Sequence, residues 1–188
     1  MALLALVRHG ESVSNLANIF TGNLDVVLTP AGEGQALAAG RKLHGIQFDA
    51  AFTSRLIRAE RTLEIILGEL GETEIRVYRD VALNERGYGS LQGLNKTAIA
   101  EKYGAAQLEE WRRSYAIAPP EGESLQQTQV RVVAYFTAQI APLLRHDQRL
   151  LIVAHGNSLR ALRMSLEGLT EEQIVLLKSP PAACTCMK

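Results

Sequence analysis

Two segments of the chain end alike. Leu3-Leu4-Ala5-Leu6-Val7 runs into Arg8-His9-Gly10, and Leu150-Leu151-Ile152-Val153-Ala154 runs into His155-Gly156-Asn157. An apolar run closed by a glycine turn reads as a buried parallel strand, which puts each histidine at a strand's carboxyl end. In open α/β sheets that edge is where ligands bind. Two imidazoles there, one preceded by Arg8, suit chemistry on an anion. Transfer of a phosphoryl group needs cationic clamps, helix N-termini and a nucleophile or oriented acceptor. Arg8 and Arg58 supply guanidinium groups suited to bidentate phosphate contact. Neutral imidazole at His9 or His155 is a good nucleophile, and Glu85 is a carboxylic acid able to protonate a leaving oxygen.

The elements that must position these groups can be read along the chain. Thr29 is a good N-cap and Pro30 a good first residue for a helix to about Leu43. Phe48 to Thr53 reads as a second strand with Ser54 capping the helix that follows. In that helix Leu56, Ala59, Leu63, Ile66 and Leu67 share one face, and Gly68 and Gly71 end it. Ile75 to Tyr78 is a third, edge-like strand. Residues 80–122 contain no clear strand and read as an excursion from the sheet, a cap over the site with short helices near 95–103 and 105–114. Ser124 and Gln127 form a capping box for a long amphipathic helix that bends or ends near Pro142. A helix from Asn157 to Leu166 follows the 150–154 strand, Thr170 opens a last short helix, and the tail beyond Pro180-Pro181 is brief. Strands alternating with helices imply an α/β fold: a mostly parallel central sheet with helices on both faces, in one domain of residues 1–188 with the cap inserted.

Composition narrows the function classes. Lys+Arg and Asp+Glu balance at 20 each in 188 residues, so no global field attracts nucleic acid or an anionic membrane, and any anion preference is local. No run approaches the roughly 20 apolar residues of a membrane span. The apolar start lacks a basic region and is cut short by Arg8-His9, so a cytoplasmic protein is expected. Gly32-x-Gly34 sits inside a helix pattern and no phosphate loop is present, which disfavours nucleotides. The four histidines, at 9, 44, 146 and 155, show no metal-ligand spacing, so no metal is expected. Cys184 and Cys186 read as free thiols.

Each candidate has an ordinary structural use against which it is weighed. A single histidine after a strand is usually a hydrogen-bonded core residue, and the repeated apolar–His–Gly context outweighs that. Arg58 on a helix is by default a solvated residue, lifted only by the Ser54/Arg58/Thr62 frame. Glu85 beside Arg86 has the form of a surface ion pair worth little. Arg112-Arg113 has the form of ordinary surface charge, and Lys96 has the weakest spacing argument. Trp111 and Tyr115 read as packing residues, His44 and His146 as exposed and idle.

Beyond these single residues, ordered segments of the chain resemble a known family. Leu6-Val7-Arg8-His9-Gly10-Glu11-Ser12, Phe20-Thr21-Gly22, Thr53-Ser54-x-Leu56-x-Arg58-Ala59-x-x-Thr62, Leu83-Asn84-Glu85-Arg86-x-Tyr88-Gly89, Gly93-Leu94-Asn95-Lys96, Trp111-Arg112-Arg113-Ser114-Tyr115 and Ala154-His155-Gly156-Asn157-Ser158-Leu159-Arg160-Ala161-Leu162 are similar to the motifs of the cofactor-dependent phosphoglycerate mutases, within the histidine phosphatase superfamily. The resemblance implies that His9 carries the phosphoryl group, that Glu85 is the general acid/base, and that Arg8, Arg58 and His155 form the phosphate pocket. It implies further that Ser12, Asn15, Thr21, Gly22, Gly156 and Asn157 line that pocket. Tyr88, Lys96, Arg112 and Arg113 on the cap would hold the substrate carboxylate and second phosphate. The expected reaction is interconversion of 3-phosphoglycerate and 2-phosphoglycerate, primed by 2,3-bisphosphoglycerate, in glycolysis and gluconeogenesis, with phosphoglycerates as the partners and a homodimer as the family's assembly. A mutase must hold a doubly charged ligand and let a bisphosphorylated intermediate reorient, so cations at both ends of one pocket are the physical expectation.

The chain departs from that family at three places. Ser14 and Asn23 stand where the mutases usually have Trp, so packing beneath the first loop should differ. The tail from Pro181 to Lys188 lacks the family's Thr-Gly-x-Pro stretch. Poorer closure admits water to a phosphohistidine, so a phosphatase side reaction is expected. The competing readings are a histidine phosphatase hydrolysing small phosphorylated metabolites and a non-catalytic phosphoanion-binding protein, the latter weakened by the joint presence of a nucleophile and an acid.

Overall fold

The computed structural model describes residues 1–177 and 180–187, and Lys188 of the tail motif lies outside them. In chain order the elements are β1 (Leu3–Arg8), α1 (Val13–Leu16), α2 (Pro30–Lys42), β2 (Ala50–Thr53), α3 (Ile57–Leu70), β3 (Arg76–Arg79), α4 (Lys96–Tyr103), α5 (Ala105–Arg113), α6 (Leu125–Tyr135), α7 (Ala141–Arg145), β4 (Arg149–Ala154), α8 (Gly156–Glu167), α9 (Glu171–Leu176) and β5 (Cys184–Met187). The sheet has the order β3-β2-β4-β1-β5, parallel except for β5. β4 enters between β1 and β2, so the chain's direction of winding changes at the strands that end in the two histidines.

Side-chain alternation divides the core. Leu4, Leu6, Phe52, Leu150 and Ile152 face Val132, Phe136 and Ile140 from the α6 side and Leu159 and Leu162 of α8. Ala5, Val7, Ala51, Leu151 and Val153 face Ala39 of α2 and Leu63, Ile66 and Leu67 of α3. Because both faces are covered, β1 and β4 must be apolar at nearly every position, which is why they read as continuous runs. Among the described residues no helix is long and apolar enough to cross a membrane.

Most expected elements form, with three corrections. Ser54 does not cap α3: the N-cap is Leu56, whose side chain cannot cap, and the orphan N–H of Ile57 donates to Asp25 Oδ1 at 2.7 Å. Gly68 lies within α3, which runs to Leu70 and ends on left-handed Gly71, because tertiary packing of Ile66 and Leu67 carries the helix past one glycine. The tail is not featureless. Cys184–Met187 pairs antiparallel with β1 along its open edge, a long-range pairing for which Cys-Thr-Cys-Met carries no local signal. The bend expected near Pro142 takes the form of a π-helical turn, Phe136–Ile140, between α6 and α7.

Two glycines set the loop after β1. A Cβ at Gly10 would overlap the Gly32 carbonyl, and one at Gly32 would overlap the Glu11 carbonyl, so the His9 loop lies directly against the first turn of α2. Gly10 N–H donates to Thr62 Oγ1 of α3 at 3.1 Å and Thr29 N–H to the Glu11 carbonyl at 2.9 Å. Between β3 and α6, residues 80–122 form two 3₁₀ turns and the helices α4 and α5. They pack through a separate small core of Phe20, Leu91, Ile99 and Trp111, with Tyr88 and Leu108 against it.

Candidate active site

β1 and β4 are parallel neighbours in a register that pairs Arg8 with Ala154. The next residues, His9 and His155, therefore leave the sheet side by side, with ring centroids 5.0 Å apart. His9 Nδ1 donates to the Gly10 carbonyl at 2.6 Å. A carbonyl can only accept, so Nδ1 holds the proton and Nε2 keeps its lone pair. Burial first, then the charges of Arg58 and Arg8, holds the His9 pKa well below 6.5. At neutral pH the ring is uncharged, with the Nε2 lone pair in the form that nucleophilic chemistry requires.

His155 is buried beside it, its pKa also held well below 6.5 by burial and then by Arg58. Ser54, freed from capping, places its Oγ 2.7 Å from His155 Nε2 and also accepts from Leu56 N–H at 3.2 Å. His155 Nδ1 is buried without a partner among the described residues.

A cavity of about 390 Å³ opens above the two histidines, within the range for small-ligand sites. Arg8, His9, Asn15, Thr21, Gly22, Arg58, Glu85, Tyr88, Lys96, Arg112, Arg113, Gly156 and Asn157 all line it, so the sheet edge and the 80–122 segment face one space. His155, its ring against that of His9, is not among the described lining residues. Ser12 does not reach the cavity either. It is fully buried and forms a capping box with Asn15, whose Oδ1 accepts from Ser12 N–H at 3.2 Å, which leaves Asn15 Nδ2 as the cavity-side donor.

Arg58 is a core residue, 1% exposed, because the 20–25 loop folds over the start of α3. It donates to the Gly22 carbonyl at 2.7 Å and the Leu24 carbonyl at 2.8 Å, and burial lowers its pKa to about 10. Its Nε is buried without a partner among the described residues. Glu85 and Arg86 are likewise buried and do not form the surface ion pair their adjacency suggests. Glu85 Oε1 accepts from the N–H groups of Arg86 at 2.8 Å and Asn157 at 3.0 Å, which leaves Oε2 beside Gly156 and Arg8. Arg131 of α6 holds the Glu85 backbone, donating to the carbonyls of Ala82, Asn84 and Glu85 while paired with Glu123 at 2.9 Å. Burial raises the Glu123 pKa, but hydrogen bonds from Arg131 and Gly87 N–H outweigh it and hold the group low.

The lining also contains residues the sequence reading did not single out: Ile19, Phe20, Arg160 and Pro180. Arg160 stands one helical turn beyond Asn157, a spacing that places both on one face of α8. Among the described lining residues six side chains are cationic and one, Glu85, is acidic. Arg112 and Arg113 share the single carboxylate of Glu109, at 3.2 and 3.4 Å, so the positive excess persists. A chain with zero formal net charge thus concentrates cations in one cavity. Among the described residues no group of three or more His, Cys, Asp or Glu side chains is placed to hold a metal ion.

Lys96 makes the electrostatics titratable near working pH. Its Nζ donates to the Ile19 carbonyl at 2.9 Å and lies 5.5 Å from the centre of the Phe20 ring. Burial, then Arg112 and Arg8, lowers its pKa to about 8. Above that pH the free protein loses a cavity cation. The apparent affinity for a multiply charged anion should fall as pH rises through about 8. In Lys96→Met the affinity should be about tenfold weaker at pH 7 and should lose that alkaline limb. Binding titrations of both proteins from pH 6 to about 9.5 across that titration check this; a limb that persists in the variant assigns it to another group.

The chain matches the histidine phosphatase superfamily (branch 1) over residues 4–188. It belongs to that superfamily. It is 49% identical over 174 residues to the 2,3-bisphosphoglycerate-dependent phosphoglycerate mutase of Bartonella tribocorum, covering 92% of this chain and 84% of that one. The enzyme of the same name from Cytophaga hutchinsonii is 55% identical, with coverages of 93% and 81%. Among solved structures of the superfamily, a mycobacterial glucosyl-3-phosphoglycerate phosphatase complexed with VO3 superposes with a TM-score of 0.84 at 30% identity, covering 99% and 92% of the two chains. YhfR of Bacillus stearothermophilus gives a TM-score of 0.86 at 25% identity, with coverages of 100% and 91%. The mostly parallel sheet flanked by helices is the fold that the superfamily resemblance implies.

Proposed function

We propose that this protein is a phosphoglycerate mutase that interconverts 3-phosphoglycerate and 2-phosphoglycerate through a phosphorylated His9, primed by 2,3-bisphosphoglycerate. The observation that carries the reading is one cavity lined both by the His9 imidazole with Arg8 and Arg58 and by a second set of cations, Lys96, Arg112 and Arg113, from the 80–122 segment. The mutases of Bartonella tribocorum and Cytophaga hutchinsonii, about half identical to this chain over most of its length, support the choice within the superfamily.

The residues fit the primer. 2,3-Bisphosphoglycerate has two phosphates of about −1.5 to −2 each and a carboxylate, a total of about −4 to −5. Six cations against one carboxylate among the described lining residues match that charge, and Arg58 Nε and His155 Nδ1 are buried polar atoms with no partner among the described residues. When bound, the primer supplies the phosphoryl group that charges His9.

In the transfer, His9 Nε2 attacks phosphorus as the bond from phosphorus to the donor oxygen breaks. Glu85 Oε2 delivers a proton to that departing oxygen. In the second transfer Glu85 takes a proton from the acceptor hydroxyl, whose oxygen attacks phosphorus and releases His9. Arg8 and Arg58 neutralise the phosphoryl oxygens and the Nδ1–H of neutral His155 donates a hydrogen bond to them, a role that needs Ser54 to donate its hydroxyl proton to His155 Nε2. Lys96, Tyr88, Arg112 and Arg113, carried on the 80–122 segment acting as a cap, hold the far end while the ligand reorients. Retention of that ligand is what separates a mutase from a phosphatase.

The test follows 2-phosphoglycerate and free phosphate together during turnover of 3-phosphoglycerate, with and without added 2,3-bisphosphoglycerate, on dephosphorylated protein treated with a chelator. Isomer formation that depends on priming, with slow phosphate release, is the expected result. Unprimed phosphate release without isomer would assign hydrolysis instead.

A further inference from the structure

Arg160 lines the cavity, yet the chemistry above leaves it without a role. It is 4% exposed and held from two sides: one guanidinium nitrogen donates to Asn157 Oδ1 at 3.0 Å and another to the Ile174 carbonyl of α9. No carboxylate among the described residues forms an ion pair with it at salt-bridge distance. A buried cation of this kind is costly to fold unless its hydrogen bonds serve a purpose.

The purpose can be traced through Asn157. A side-chain amide has an accepting end and a donating end. Arg160 can only donate, so it fixes Oδ1 toward itself and turns Nδ2 toward the Tyr88 hydroxyl, 3.2 Å away. With the amide reversed, two donors would face each other at Arg160, and the carbonyl end would draw the tyrosine's proton. Tyr88 Oη accepts a second donor, Arg86 Nη2, at 3.1 Å, with the Arg86 guanidinium over its ring at 4.7 Å. The same Nη2 also donates to the carbonyls of Trp111 and Arg112 at 2.9 and 3.1 Å, its two protons shared among the three acceptors. With two donors on its oxygen, the hydroxyl of Tyr88 has only its proton left to offer, and Tyr88 lines the cavity.

We propose that Arg160 and Arg86 are positioning residues: acting through Asn157 and directly, they hold Tyr88 as an obligate hydrogen-bond donor to an anionic oxygen of the ligand. The identity of that ligand, a phosphoglycerate, rests on the function proposed above. The arrangement also spans the site, since Arg86 ties the donor to the carbonyl end of α5, beside Arg112, and Arg160 ties it to α9.

The experiment is a double-mutant cycle read as 3-phosphoglycerate binding by calorimetry, in a His9→Ala background that cannot turn over. Tyr88→Phe and Arg160→Met should each weaken binding about tenfold, as expected for one hydrogen bond to a charged oxygen. The pair together should weaken it no further. Independent losses that multiply to about a hundredfold, or an Arg160→Met protein that binds normally, overturn the proposal. A purely structural Arg160 would lower the melting temperature and weaken binding equally with or without the Tyr88 hydroxyl. If Arg160→Met does not fold, Arg160→Lys replaces it in the cycle: it keeps the charge but not the fork, and whatever loss it causes must disappear in Tyr88→Phe. A wild-type protein that binds 3-phosphoglycerate but forms no 2-phosphoglycerate counts against the mutase reading alone, and the cycle still decides the relay.

Discussion

Replacement of His9 by alanine is expected to lower turnover by at least about 10⁴-fold, because it removes the covalent route altogether and leaves only the anion-binding cavity. The wild-type protein should take up one acid-labile phosphoryl group from 2,3-bisphosphoglycerate and the variant none, by intact-mass measurement. A variant that is still phosphorylated would move the nucleophile to another residue. The same substitution has a signature in stability. His9 and His155 are both buried neutral, with pKa values held well below 6.5. As pH falls below about 6.5 the unfolded chain binds protons that the folded chain refuses, so stability declines with acidification over that window. Each histidine contributes a slope of up to about 1.4 kcal/mol per pH unit. His9→Ala should reduce the acid sensitivity by about half, which urea unfolding at several pH values below and above that titration would show.

The paired histidines were legible because their signal is a pattern repeated twice. Two apolar runs ending in His-Gly are readable as strands, and a strand's end is readable as a ligand edge. That β1 and β4 are neighbours, which brings the rings within 5.0 Å, lies in the strand order and not in either segment. Residues whose role depends on a partner far along the chain were harder to read. Ser54 resembles a cap until His155, 101 residues away, claims its hydroxyl, while the cap itself comes from Asp25. Arg58 lies on what helical periodicity marks as a polar face, and only the 20–25 loop laid over it makes it a core residue. Arg86, Arg131 and Arg160 occur within or near recognisable motifs, but arginine is a surface residue by default and nothing local announces three buried or half-buried guanidinium groups binding backbone carbonyls. The edge strand at Cys184–Met187 is a response to the open side of β1, which no local pattern encodes.

Glu85→Gln is expected to separate catalysis from binding. Glutamine is isosteric and its carbonyl can still accept from the N–H groups of Arg86 and Asn157, so the loop held by Arg131 should keep its geometry. What changes is the atom in place of Oε2, which can no longer carry a proton to or from the transferring oxygen. Loss of a general acid/base lowers kcat by about 10² to 10⁴. Glu85 is also the single carboxylate among the described lining residues, and its charge is among those that stabilise the cationic forms of Arg8 and Arg58. Removing it leaves the cavity more positive, so 3-phosphoglycerate should bind more tightly even as turnover collapses. The expected result is a fall in kcat together with a fall in KM, and slow appearance of phosphorylated His9 in single-turnover experiments. A fall in kcat with a raised KM would mean that Glu85 works chiefly by ordering the arginines, and proton transfer would have to be sought elsewhere in the cavity.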